Sequence, residues 1–276
     1  MARLAQDFDD SDLPALSTVA IEVGRLAAAE DGTDSAAALS SLVRRDVALA
    51  SQVLRVANSA LYAPRTPIAS LTQAVTRLGM NEIRNIAYSF ALRTDIFSAA
   101  QHDARGGAAL TSLWRESLAT ACFAQEIARM KRRDVESAYL CGLMHRLGMA
   151  VMLWRLVRAP NAMEVDVARL EQFAAEGPEA HIGAKLSVSW RLPSPIAAGI
   201  AHWRMPQAAP TAYHGLLLQI AAARALAAQL TAPDELPVEL CGISPELLDD
   251  LSLYPDDVAQ LLSRRAAVSA AVECYT

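Results

Sequence analysis

The dipeptide His145-Arg146, set in the apolar run Tyr139-Leu-Cys-Gly-Leu-Met-His-Arg-Leu-Gly-Met149, carries the side chains whose types could do chemistry. A neutral imidazole can ligate a transition metal or relay a proton near neutral pH. The guanidinium beside it can do neither, because it stays protonated and has donors but no lone pair. A buried arginine needs carboxylates or an anion around it, so Arg146 points either to an ion pair or to a pocket in which it holds a phosphate or nucleotide together with His145 or His181. His145 alone, on an apolar helix, reads as a hydrogen-bonded core histidine rather than a catalyst. The remaining candidates are weaker. His102 and Asp103 fall in the polar, glycine-containing stretch Gln101 to Gly107. No serine nucleophile elbow, phosphate-cradling glycine loop or basic surface interleaved with aromatics is present in the sequence.

The elements that must position these residues are helices. The composition is 53% hydrophobic and only 5% aromatic, which suits Ala/Leu helix packing better than a β-sandwich. Leu16, Val19, Ala20, Val23, Leu26 and Ala27 form one helical stripe. Ser35 is placed to cap a second helix that buries Leu39, Leu42 and Val43. A third runs from about Ala48 to Asn58. Pro64 and Pro67 make Tyr62–Pro67 a loop, and helices from Ser70 and from Asn81 are separated by Gly79. A long helix is expected over about Leu110–Lys131, then others near 135–146, 149–157, 164–175, 179–191, 194–203, 211–230, 245–251 and 255–272. No strand-like alternation persists anywhere, so the fold class is all-α.

Bulk properties narrow the function classes. The net charge is −5, so no global basic field recruits nucleic acid or an anionic membrane. The dense basic cluster Met130-Lys-Arg-Arg133 reads as cations offsetting a helix dipole at its C-terminus. Cys122, Cys141, Cys241 and Cys274 contain no Cys-x-x-Cys pair and read as reduced thiols of a cytosolic protein. The N-terminus lacks the apolar run of a signal peptide, and the charge-free stretch Met205–Ala223 is broken by prolines. The expectation is a cytoplasmic protein that makes no direct contact with nucleic acid or membrane.

Two stretches resemble a known family. Arg45-Asp-Val-Ala-Leu-Ala-Ser-Gln-Val-Leu-Arg-Val-Ala-Asn-Ser-Ala-Leu-Tyr62, with Pro67-Ile-Ala-Ser-Leu-Thr-Gln-Ala-Val-Thr-Arg-Leu-Gly79 and Arg84-Asn-Ile-Ala87, resembles the N-terminal half of the HDOD family. Leu113-Trp-Arg-Glu-Ser-Leu-Ala-Thr-Ala121, His145-Arg146, Glu179-Ala-His-Ile-Gly-Ala184 and Trp190-Arg-Leu-Pro193 resemble its C-terminal half. That half is a relative of the HD-domain phosphohydrolases, which carry His-Asp followed by Leu-Gly. The resemblance covers roughly residues 12 to 230. It implies a two-lobed helical bundle: a flexible N-terminus over 1–12, an N-terminal helical lobe over 13–100, and an HD-like lobe over 108–230. A helical extension over 231–276 would close the bundle or make a dimer face.

The resemblance also implies what the site lacks. An HD-type centre needs a His on an early helix, the His-Asp pair and a later Asp, converging on metal. Of these, His145 remains. Glu116 fills the early position, Arg146 replaces the Asp of the pair, and the late position falls near Ala222. His181 and His202 match positions where relatives place histidines. The expectation is a degenerate site of Glu116, His145, Arg146, His181 and His202 with no metal and no cofactor, in which Arg146 pairs with Glu116. The implied function is a non-catalytic regulatory protein in signal transduction, with a protein partner from cyclic-dinucleotide or two-component signalling, or a nucleotide or phosphate ligand. The alternatives are a divergent metal-dependent phosphohydrolase or a nucleotide-binding sensor without turnover. The corner at Asn58 and Tyr62 reads as a helix C-terminus, with Asn58 capping locally and Tyr62 packing between the lobes, or as a partner-binding surface.

Overall fold

The computed structural model describes residues 14, 18, 22, 32–97, 106–158, 166–231 and 242–275. Among them every regular element is helical, as the composition and periodicity require. The first stripe (Leu16 to Ala27), the polar stretch with His102 and Asp103, and Cys241 lie outside the described residues. The chain divides into two compact units, one of Ala15–Asp95 with Ala267–Thr276, the other of Ile96–Ala266 with Met1–Pro14.

The first unit contains α1 (Gly32–Arg45), α2 (Val47–Ala57), α3 (Leu71–Leu78) and α4 (Met80–Leu92). Helix α1 begins at Gly32, so Ser35 sits within its first turn instead of capping it. Asp46 caps α2 by accepting from the amides of Ala48 and Leu49, and Ser70 caps α3 through Gln73 N. Gly79, at φ +79°, turns α3 directly into α4. Leu39, Val43, Leu49, Val53, Val56, Ile83 and Ile86 form the core. Asn58 ties down the far end of the proline loop: its Oδ1 accepts from Ile68 N at 2.8 Å and its Nδ2 donates to Ile68 O at 2.9 Å. The Tyr62 hydroxyl donates to Glu82 on α4.

The second unit is built on α5 (Gly107–Met130), against which α6 (Val135–Met144) and α11 (Thr211–Ala228) pack. Gly142 makes the α5–α6 approach possible, since a Cβ there would lie 2.8 Å from Ala121 Cα. Helices α7 (Leu147–Arg158), α8 (Val167–Ala175), α9 (Pro178–Ser189) and α10 (Ser194–His202) complete the wall. The Cys141 thiol, pressed against Gly199 of α10, is pushed by burial up to about 12, so it is an inert core side chain. The segment Val135–Arg158 is long and apolar enough to cross a membrane, but 83% of its apolar 18-residue window is buried. Beyond it lie α12 (Pro245–Leu251) and α13 (Pro255–Ser263), and the chain then enters α14 (Arg265–Tyr275), which belongs to the first unit from Ala267 on. The single helix expected over 255–272 is therefore two, parted at Arg264. The basic end of α5 works locally: Lys131 Nζ donates to Ser252 O at 2.6 Å and pairs with Asp257 Oδ2 at 2.7 Å.

Candidate functional site

Helices α6 and α7 are nearly continuous, broken only where His145 and Arg146 form a turn. That turn sits in the interior of the second unit. His145 is fully buried and Arg146 is 5% exposed. Placing a guanidinium there costs several kcal/mol of hydration unless carboxylates surround it. Three do, each delivered by a different helix.

Glu116, midway along α5, contacts Arg146 Nη1 through Oε2 at 3.2 Å and Arg224 Nη2 through Oε1 at 3.2 Å. Glu179, in the first turn of α9, reaches Arg146 Nε at 3.5 Å and accepts from Arg204 Nη2 at 2.7 Å and Nε at 3.0 Å. Glu171 of α8 pairs with Arg146 Nη2 through Oε1 and with Arg204 Nη2 through Oε2, the latter at 3.3 Å. The side chain of Glu179 is 2% exposed, whereas those of Glu116, Glu171, Arg204 and Arg224 are between 33% and 35% exposed. Trp203 is the platform beneath the cations. The guanidinium carbons of Arg204, Arg224 and Arg146 lie 4.1, 4.2 and 5.6 Å from its ring centroid.

Three guanidiniums and three carboxylates thus form one neutral network, open to solvent along one side. Burial works to lower the Arg146 pKa, but the Glu171 hydrogen bond and the charges of Glu179, Glu116 and Glu171 outweigh it and raise the value. Arg224 goes the other way: burial, with Arg146 and Arg204 nearby, outweighs Glu116.

His145 faces this network without joining it. Its Nδ1 lies 2.7 Å from Gly142 O, and a carbonyl only accepts, so Nδ1 carries the proton. Nε2 is then an acceptor, with no hydrogen-bond partner among the described residues. The ring meets Trp203 edge-on at 5.2 Å. Burial first, then the charge of Arg224, with smaller contributions from Arg146 and Arg204, hold the imidazole well below 6.5 against the opposing Gly142 hydrogen bond. Its folded pKa is below its unfolded one, so the unfolded state binds more protons between them. Stability is full above about 6.5 and is lost as pH falls below it, by about 1.4 kcal/mol per pH unit. Urea unfolding between pH 7 and pH 5 should show this slope in the wild type and its loss in His145→Asn, whose amide can still donate to Gly142 O. Equal slopes in the two proteins would mean that the ring titrates alike folded and unfolded.

The structure brings together His145, Arg146 and Glu116 of the sequence-derived site. His181 is exposed on α9 and His202 is half-buried at the end of α10, and neither takes part in the network's ion pairs. Sequence reasoning missed Glu171, Glu179, Trp203, Arg204 and Arg224 as members. The available signal was the run His202-Trp203-Arg204 just beyond an apolar helix, a cation beside a large ring with no exposed function of its own.

The donor set does not fit a divalent metal. Each carboxylate is already committed to guanidiniums, the pair position is itself a cation, and His145 Nε2 is one ligand where a site needs three or four. Among the described residues no group of three or more His, Cys, Asp or Glu side chains is arranged to hold a metal ion.

Comparison with known proteins agrees with this architecture. The profile of the HDOD domain family matches residues 13–206. An uncharacterized protein of Treponema pallidum (strain Nichols) is 28% identical over 230 residues, which is 80% of this chain. The chain spans 42% of that relative's length. The crystal structure of an HDOD domain protein with unknown function from Geobacter sulfurreducens superposes with a TM-score of 0.72 at 21% identity, covering 99% of this chain and 97% of the other. A "putative phosphohydrolase" of Shewanella amazonensis SB2B superposes with a TM-score of 0.70 at 23% identity, covering 100% of this chain and 98% of the other. At these identities the two structures establish the shared fold.

Proposed function

We propose that this chain, which belongs to the HDOD family, is a non-catalytic regulatory module that acts by binding a protein partner or small ligand in a signalling pathway. The observation that carries this reading is the ion-pair network at the His145-Arg146 turn. A guanidinium with three carboxylate partners replaces the donor set that metal-assisted hydrolysis requires. What remains is a neutral, prearranged set of charges with its outer members at the surface, and such a set can recognise but has no activated nucleophile.

The reading places the protein in the cytoplasm, in keeping with the burial of its long apolar segment, and gives it a partner from cyclic-dinucleotide or two-component signalling. The Asn58–Tyr62 corner needs no partner to explain its composition, because both side chains are hydrogen-bonded within their own unit.

The test is metal content per chain, by elemental analysis of protein purified without chelators or a histidine tag, paired with an assay on phosphodiester substrates. The expected result is less than roughly a tenth of an equivalent of any transition metal and no turnover, against the full equivalent a closed three- or four-ligand site would retain. Near-stoichiometric manganese, iron or zinc would overturn the reading in favour of a divergent phosphohydrolase.

A further inference from the structure

The three carboxylates of the network are not equivalent. Glu116 comes from the long central helix α5, and Glu179 is buried at the start of α9, where the close approach at Gly148 fixes its backbone. Glu171 comes from α8, a nine-residue helix that packs on α9 and buries only Leu170 and Ala174. Its attachment to the site is through the carboxylate itself, one oxygen on Arg146 and the other on Arg204.

That is how a pair of guanidiniums holds a free oxyanion: two oxygens of one planar or tetrahedral group, each on a different cation. Without the Glu171 carboxylate, the network has three guanidiniums against two carboxylates, a formal charge of +1. The cations are already stacked on Trp203, so little ordering would be needed to receive an anion there. Arg146 is nearly buried while Arg204 is partly exposed, so a terminal anionic group fits, entering from the solvent side.

We propose that Glu171 is an internal stand-in for a ligand: the Arg146–Arg204 pair is a binding site for the phosphate or carboxylate group of a small molecule, and α8 occludes it until such a group displaces the Glu171 side chain. This rests on the metal-free binding role proposed above and names the ligand chemistry and its regulation. Ligand binding would be reported outward as release of α8.

The probes are inorganic phosphate and acetate, titrated against chloride at equal ionic strength. In Glu171→Ala, phosphate should raise Tm by roughly 3–6 °C in a saturating manner. The wild type should show only the small linear rise that an excluded salt gives, and Glu171→Ala/Arg204→Met should behave like the wild type. Acetate acting as well as phosphate would assign the site to carboxylates; phosphate alone acting would assign it to phosphate esters. A second measurement needs no variant. In wild-type protein, high phosphate should speed hydrogen exchange of the α8 amides by at least about threefold while α5 stays protected. Parallel linear Tm shifts in all three proteins, or α8 protection indifferent to phosphate, would overturn the proposal. Bound metal in the purified protein would instead overturn the reading beneath it, so the two fail by different measurements.

Discussion

Replacing Arg146 by alanine should destabilise the second unit by about 3–5 kcal/mol, the cost of stranding buried charge when one partner of an ion pair is removed. Three carboxylates converge on that one guanidinium, and Glu179 has almost no access to water that could replace it. The loss is a large fraction of the 5–15 kcal/mol that holds a typical domain together. Arg146→Lys should also lose stability, because an ammonium is a point charge and cannot present Nε, Nη1 and Nη2 to three acceptors in fixed directions. Glu116→Gln should cost far less, since that carboxylate is a third exposed and its pairing is screened. Urea titrations of the three variants give the ranking. If Arg146→Ala unfolds within about 1 kcal/mol of wild type, the network is not what keeps the turn folded, and the three glutamates find water instead.

Legibility of this site in the sequence follows a physical rule. Arg146 declares itself, because a guanidinium inside an apolar helical run demands carboxylates, and Glu116 could be named as a partner through the family resemblance, which sets it at the early ligand position. Glu171, Arg204 and Arg224 could not. They come from a short helix, from the turn after α10 and from the last turns of α11, and nothing in their spacing shows that the fold gathers them into one network. The fold class was more legible than its joints. Helical periodicity is a local property and marks α2, α5 and α11 well, whereas the break at Arg264 involves neither proline nor glycine and leaves no local mark. Gln52 Nε2 donating to Cys274 O likewise joins the last helix to α2 by a contact that no sequence pattern encodes.

Gly148→Ala should be the second most damaging single change, and its sign is diagnostic. Alanine is the better helix former by about 1 kcal/mol, so on propensity alone the substitution in α7 would stabilise the protein. The structure opposes that gain. A Cβ on Gly148 would lie 2.1 Å from the carbonyl oxygen of Glu179 and 2.9 Å from its carbonyl carbon, and backbone atoms cannot rotate out of the way. Helices α7 and α9 would have to part, drawing Glu179 from Arg146 Nε, where its contact is already the longest in the network at 3.5 Å. A net loss of about 2–3 kcal/mol is expected, at the upper end for overpacking because a buried ion pair opens with it. Gly183→Ala is the comparison: its Cβ would meet Ile200 Cγ2 at 2.3 Å, a side-chain methyl and not backbone, so it should also cost stability but without drawing Glu179 away from Arg146. Coupling to the network is measured by combining Gly148→Ala with Glu179→Gln. If the glycine exists to bring α9 and its carboxylate onto Arg146, the double variant should lose at least about 0.5 kcal/mol less than the sum of the singles. Strict additivity would reduce Gly148 to helix packing and separate it from the charge network it adjoins.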